Sequence, residues 1–299
     1  MMTKGKSKIV CFGEVLWDVF ADGKKIGGAP LNVALRMKKL GCDVTMISCV
    51  GDDADGEAIL EYFSEHGLTT EGISKTADYP TGTVQVFINE RGSASYDISY
   101  PSAWDKITLT DEAHQYINKA DALIYGSLIC RDDVSRNTLA TLLTKKVYKV
   151  FDVNLRKPQY KQEVLEELMH GADFIKFNDE ELLEIAAKMG SGYTSLEENI
   201  TFIRNKTDTK AICVTMGKHG AMFFWNDILY TNPGYPAKVV DTVGAGDSFL
   251  GTLIQGVLSG DTPQKSLDRA CAVGALVAEQ PGANPEISQQ QIERLMVRV

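Results

Sequence analysis

Apolar runs too short to be helices recur along this chain, separated by amphipathic stretches. They stand at Lys8 to Phe12, Val44 to Val50, Ala122 to Tyr125, Val147 to Val153, Phe174 to Phe177 and Ala211 to Thr215. Between them Ala29 to Leu40, Glu57 to His66 and Asp179 to Lys188 space their apolar residues as helices do. The alternation predicts βαβα units and a mostly parallel sheet. The runs are apolar throughout rather than at every second residue, which predicts strands buried on both faces.

Two stretches break the pattern. Ala21 to Lys25, and Thr81 to Glu90 followed by a turn at Gly92 and by Ser93 to Tyr100, alternate with period two. That is the pattern of antiparallel strands with one solvated face, and it predicts a small β-sheet beside the main body. Such a sheet is either a lid over the carboxyl edge of the parallel sheet, where open α/β folds bind ligands, or a surface hairpin. No linker rich in Pro and Gly divides the chain into independent domains.

Composition narrows the partners. Across 299 residues, 40 Asp and Glu outnumber 31 Lys and Arg for a formal charge of −9, with 44% hydrophobic residues. There is core material in plenty, and no basic block that would favour nucleic acid or an anionic membrane. Glu14 and Asp18 interrupt the first apolar stretch, no 18 apolar residues run together, and the expected location is the cytoplasm. Six cysteines without ligand spacing read as small buried hydrophobes.

The most informative segment is Val239-Val240-Asp241-Thr242-Val243-Gly244-Ala245-Gly246-Asp247-Ser248. It reads as strand, small-residue turn and helix, the helix burying Phe249, Leu250, Leu253, Ile254, Val257 and Leu258. Gly244, Ala245 and Gly246 let a phosphate approach the backbone, where free amides and the helix dipole neutralise its charge. Asp247 then stands either as a base for a hydroxyl attacking a phosphoryl group or as an ordinary helix N-terminal carboxylate. Gly244-x-Gly246 is no dinucleotide fingerprint, because Phe249 occupies the third glycine position.

Further polar clusters follow other strands. Near the start come Asp18 and the run Gly27-Gly28-Ala29-Pro30-Leu31-Asn32, where carboxylate, amide and bare backbone suit a polyhydroxylated ligand. Asp152-Val153-Asn154-Leu155-Arg156 offers a guanidinium for phosphate oxygens. Asn178 and Glu181 offer ligands for Mg²⁺ or its waters, or equally a helix cap. Thr215-Met216-Gly217-Lys218-His219-Gly220 is a plain hairpin or a ledge for a nucleotide. All of them fall just past predicted parallel strands, so they converge on one edge of the sheet.

These residues resemble the ribokinase-like, or pfkB, family of carbohydrate kinases over nearly the whole chain. Gly27-Gly28-Ala29-Pro30-x-Asn32 is similar to its N-terminal signature and Asp241 to Asp247 to its C-terminal one. Asp152-x-Asn154-x-Arg156 and Asn178-x-x-Glu181 match further family patterns. The resemblance implies a ribokinase-like three-layer αβα sandwich over residues 1–299, with a small antiparallel β lid from roughly 18–30 and 80–103. It implies Asp247 as catalytic base and the Gly244, Ala245 and Gly246 amides around the phosphate, with Arg156 assisting. Asp18, Gly27, Gly28 and Asn32 would hold a sugar; Asn178, Glu181, Thr215, Gly217, Gly220, Gly244 and Gly246 would serve ATP. Besides Mg²⁺, a monovalent cation such as K⁺ would sit against Asp241, Val243, Val277, Gln280, Gly282 and Glu286, and the lid edge would offer a homodimer contact. Gly13 to Phe20 and Pro101 to Asp105 look most like fructokinases, and Ser93 to Asp105 carries no Arg or Lys, which suits a neutral hexose. The expected reaction is ATP-dependent phosphorylation of D-fructose at its primary hydroxyl. Its rivals are a ribose, 2-keto-3-deoxygluconate or nucleoside kinase on the same fold, or a non-catalytic sugar-binding regulator.

Overall fold

The computed structural model describes residues 5–21, 23–88 and 94–297. In chain order the first half contains β1 (Lys8–Phe12), β2 (Leu16–Phe20), β3 (Gly23–Gly27), α1 (Ala29–Lys39), β4 (Asp43–Gly51), α2 (Ala54–Glu65), β5 (Ile73–Thr76), β6 (Gly82–Ile88), β7 (Ala94–Ile98), α3 (Asp111–Ile117), β8 (Ala122–Gly126) and α4 (Asp133–Leu143). The second half contains β9 (Tyr148–Asp152), α5 (Gln162–His170), β10 (Phe174–Asn178), α6 (Asp179–Lys188), α7 (Leu196–Thr207), β11 (Ala211–Thr215), β12 (Ala221–Trp225), β13 (Ile228–Asn232), α8 (Ala245–Ser259), α9 (Pro263–Ala278) and α10 (Gln289–Met296).

The main sheet runs β13-β12-β11-β10-β9-β8-β1-β4-β5. From β11 to β5 every pairing is parallel, and β12 and β13 close one edge as an antiparallel pair. Burial on both faces is visible residue by residue in β1. Ile9 and Cys11 pack with Leu31 and Leu35 of α1 and Leu250 and Leu253 of α8, while Val10 and Phe12 join Leu139 of α4, Leu165 of α5 and Ile185 of α6. Helices thus cover both sides, giving the three α/β/α layers that the resemblance implies.

The small sheet runs β3-β2-β6-β7. Its two outer pairings are antiparallel, as the alternation predicts, but the central β2–β6 pairing is parallel. The two inner strands belong to separate excursions of the chain, so no tight turn obliges them to run oppositely. The Gly92 turn and Arg91 lie outside the described residues.

The base of the small sheet is fastened by a buried ion pair. Arg131 bonds Asp105 through Nε at 2.7 Å and Nη2 at 2.8 Å, and its guanidinium lies 3.9 Å from the Trp104 ring centroid. Asp105 also accepts the Ser102 amide at 2.8 Å, closing the 3-10 turn at Ala103–Lys106. The Pro101 to Asp105 motif is therefore an anchor, with its carboxylate fully buried.

One predicted strand is absent. Residues 233–244 form no strand, and Val239 and Val240 are exposed. The amides of Val240 and Asp241 bond the Ala278 carbonyl at the end of α9, at 2.8 and 3.2 Å, instead of a ladder partner. The segment that leads into α8 is a crossing loop, and β branching without burial did not make it a strand. All six cysteines are free, and five of them are buried.

Candidate active site

The carboxyl ends of β1, β9, β10 and β11 lie on one edge of the sheet because these strands are parallel. That edge receives the Gly13-Glu14 turn, the loop from Asp152 to Arg156, the Asn178 cap and the Gly217–His219 turn. α1 and α8 pack side by side above it, and Gly251 of α8 approaches Val33 and Arg36 of α1. Arg36 donates from Nε to Ser248 Oγ at 3.1 Å, tying the last turn of α1 to the first turn of α8.

α8 begins at Gly244, in the left-handed conformation at φ 74. A β-carbon there would run into Ala283, so both the turn and the close approach require glycine. The first amides of a helix have no intrahelical acceptor, and this start presents them at the sheet edge beside Gly246. Gly28 plays the matching part before α1, at φ 112 with its Cα against the Glu14 carbonyl. α1 has no cap of its own, and the Glu14 side chain accepts the Ala29 amide at 3.3 Å.

Asp247 and Asn32 meet across the two helices. Asn32 Nδ2 donates to Asp247 Oδ2 at 2.8 Å, joining positions that are 215 residues apart. Burial pushes Asp247 up to about 6, and the nearby Asp152 adds to the rise. The Asn32 hydrogen bond, Lys176 and Arg156 oppose it. A carboxylate tuned to this range is ionised at neutral pH yet basic enough to take a proton.

Lys176 is a charged residue at this edge that sequence reading missed. Register places it beside Asp152 on the neighbouring parallel strand, and its Nζ donates to Asp152 Oδ1 at 2.8 Å with both side chains buried. Its Nζ is the nearest atom, at 3.8 Å, to a β-carbon built on Gly246. Burial pulls the lysine pKa down, but Asp152, Glu181 and Asp247 outweigh it and hold the ammonium charged. The signal was a lone charge inside the apolar run Phe174-Ile175-Lys176-Phe177, since a buried charge needs a partner.

Beside the small sheet, Asp18 of β2 lies against the backbone of Gly27, where any β-carbon would strike its carboxylate. Burial raises Asp18 to about 6 and Arg156 opposes the rise. Glu14 is raised to about 7 by burial, against backbone amides and Arg156, and its Oε2 is buried with no partner among the described residues. Arg156 is exposed and donates to the Leu155 carbonyl at 3.0 Å, yet its charge reaches Glu14, Asp18 and Asp247. Asn154, two residues earlier, has a positive φ of 38.

At the end of β10, Asn178 and Glu181 form a closed capping box. Glu181 Oε2 accepts the Asn178 amide at 2.8 Å, and its Oε1 accepts the Leu155 amide at 2.8 Å, joining the β9 and β10 loops. Each oxygen accepts one amide and keeps a lone pair that could face a metal ion or a metal-bound water with the box intact. The Gly217–His219 turn links antiparallel β11 and β12, so it is a hairpin standing at the site's edge. Gly220, at φ 80, packs against the Asn232 carbonyl and Gly234, and Thr215 Oγ1 reaches the Phe177 carbonyl at 3.4 Å.

Of the expected cation loop, the structure brings Asp241, Val243 and Gly282 together. Asp241 accepts the Val243 and Gly282 amides, each at 3.0 Å. The Val277 carbonyl takes the Gln280 amide at 3.0 Å. Glu286 is turned away: its side chain is 87% exposed and paired with Lys39 at 2.6 Å. Among the described residues no cluster of three His, Cys, Asp or Glu could hold a metal ion, and no helix is long and apolar enough to cross a membrane.

Residues 3–290 match the pfkB family of carbohydrate kinases. An uncharacterized sugar kinase of Pyrococcus horikoshii is 31% identical over 253 residues, covering 81% of this chain and 76% of that relative. Fructokinase-1 of Oryza sativa subsp. japonica is 27% identical over 325 residues, covering 98% of each chain. Among solved structures, the ATP complex of the P. horikoshii kinase superposes with a TM-score of 0.82 at 27% identity, over 96% of this chain and 99% of that one. The fold is also that of Vibrio cholerae fructokinase bound to fructose, ADP and calcium, at a TM-score of 0.85 and 24% identity over 98% of this chain and 100% of the other. With both signatures on one sheet edge and the match running nearly end to end, the chain belongs to the pfkB family of carbohydrate kinases, phosphotransferases with an alcohol acceptor.

Proposed function

We propose that the protein transfers the γ-phosphoryl group of ATP to the primary hydroxyl of D-fructose, giving fructose 6-phosphate and ADP. The observation that supports this most directly is Asp247 at the first turn of α8, hydrogen-bonded to Asn32 of the sugar-side signature and flanked by Lys176. Asp247 takes the hydroxyl proton while the hydroxyl oxygen bonds to phosphorus and the bond from phosphorus to the β-phosphate oxygen breaks. The Gly244, Ala245 and Gly246 backbone, Lys176 and Arg156 face the charge that develops on the transferring group. Asp18, Gly27, Gly28 and Asn32 hold and orient the sugar, and Thr215, Gly217 and Gly220 line the nucleotide.

Mg²⁺, when bound, neutralises and orients the phosphates; Asn178 and Glu181 would hold it through its waters. A monovalent cation would find one carboxylate, Asp241, and the carbonyls of Val243, Val277, Gln280 and Gly282, without the Glu286 carboxylate. The small sheet acts as a lid that excludes water, which suppresses ATP hydrolysis.

A neutral hexose is favoured by the charge at the base of this lid. Among the described residues the cations there are Arg131, which Asp105 already neutralises with two hydrogen bonds, and Lys106, which is paired with Asp132 at 2.6 Å. A sugar carboxylate would meet no free cation from either. The test is ADP release, measured by a coupled assay, across fructose, ribose, 2-keto-3-deoxygluconate and a nucleoside. Fructose is expected to give the highest kcat/KM; ribose turning over while fructose does not would overturn the choice.

The acid limb of the rate profile follows from Asp247. Protonated, it cannot take a proton, so kcat is expected to fall as pH drops through about 6. A kcat flat from pH 7.5 down to pH 5 would remove Asp247 from the role of base.

A further inference from the structure

Asn32 presents its amide nitrogen to Asp247, and this orientation has a cause on the other side of the residue. Asn284, in the loop between α9 and α10, donates from Nδ2 to Asn32 Oδ1 at 2.7 Å. The pair spans 252 positions in sequence. An ionised carboxylate only accepts, so it needs the NH₂ end of Asn32. The oxygen end must then face outward, where a buried carbonyl needs a donor, and Asn284 supplies one. Were Asn32 to turn over, its oxygen would oppose the Asp247 carboxylate.

Asn284 is held by its backbone neighbours. Lys39 Nζ bonds the Asn284 carbonyl at 3.0 Å, and Arg36 Nη2 bonds the Pro285 carbonyl at 3.1 Å. Both cations come from α1, the helix that carries Asn32, so the loop and the helix are fixed as one piece. The Asn284 Oδ1 atom is buried without a partner among the described residues, so this side chain is held through its donation to Asn32.

We propose that Asn284 is a positioning residue, which locks the amide of Asn32 with its nitrogen toward Asp247 and thereby readies the base. The inference rests on the kinase reading for its effect on rate, and on the hydrogen-bond chain alone for its effect on Asp247. Besides Asn32, the groups that bear on Asp247 are Asp152, Lys176, Arg156 and Glu14, none of which the substitutions below alter.

Two variants separate orientation from packing. Asn284→Leu keeps the volume and removes the donor; Asn284→Gln keeps the donor. N284L is expected to lose about tenfold in kcat with the KM for ATP unchanged, as the loss of an ordered bond to a charged group implies. The ¹³C titration midpoint of the Asp247 carboxyl, read without turnover, should rise by about one pH unit. N284Q should stay closer to wild type in both measurements. The proposal is overturned if N284L keeps the wild-type midpoint, or if N284Q is as impaired as N284L, which would mark the position as one of shape. A wild type that phosphorylates no sugar would sink the kinase reading, while the carboxyl titration would still decide this one. Should N284L not fold, Asn284→Ala supplies the donor-free comparison.

Discussion

Asp247→Asn is expected to lower kcat by roughly 100-fold or more while leaving sugar affinity largely intact, because the amide keeps the contact with Asn32 but cannot take a proton. The same variant should be more stable than the wild type at pH 8. The folded pKa of Asp247 lies near 6, above the ordinary carboxylate value, so the native state holds this proton more tightly than the unfolded chain does. Its stabilising effect is present at low pH and lost as pH rises through about 6, after which ionised Asp247 is a burden. Removing that burden is worth about 1–3 kcal/mol, a few degrees of Tm, and the gain should vanish below about pH 4. Calorimetry at pH 4 and pH 8 checks the sign, and single-turnover kinetics checks the chemistry. A variant with near-normal kcat would mean the proton leaves by another route.

Lys176→Met is the second large effect, and it acts on fold and chemistry together. Asp152 would be left buried and unpaired, for its Oδ2 atom already has no partner among the described residues. Breaking a buried ion pair from one side costs about 3–5 kcal/mol, which lowers Tm by roughly 6–15 °C in a chain of this size. Turnover should fall by about 100-fold as well, since a cation beside the α8 start is lost where phosphate charge develops. The control is the double variant Asp152→Asn with K176M. Removing the orphaned carboxylate should recover part of the lost stability without restoring kcat. A double variant no more stable than K176M would show that the pair is not coupled in this way.

Much of the main sheet was legible because its physics is local. The run Ala211 to Thr215 and the amphipathic Asp179 to Lys188 have the bounds that β11 and α6 take in the structure. α2 starts earlier than its periodicity suggests, at Ala54, because Asp53 accepts the Gly56 amide at 2.8 Å and caps the helix before the apolar spacing begins. What the sequence could not show was pairing across long separations. Nothing local announces that β2 and β6 run parallel, that Glu286 turns to Lys39, or that Asn284 reaches Asn32. Val239 and Val240 misled in the opposite way, their strand-forming side chains being left in solvent. Lys176 was legible in principle, as a charge that an apolar strand would not carry without a counter-charge at the same register.

The division between the two sheets bears on how such an enzyme can be altered. The strands bearing Asp18 and Gly27 belong to the four-stranded sheet, whereas Asp152, Lys176 and the start of α8 belong to the nine-stranded body. If Asp18 and Gly27 hold the sugar as proposed, redesign that stays within residues 16–27 and 82–98 would re-tailor the acceptor's side of the site and leave Asp152, Lys176 and the start of α8 unchanged. Catalysts for unnatural alcohols are therefore best sought by diversifying those two hairpins on an unchanged chassis.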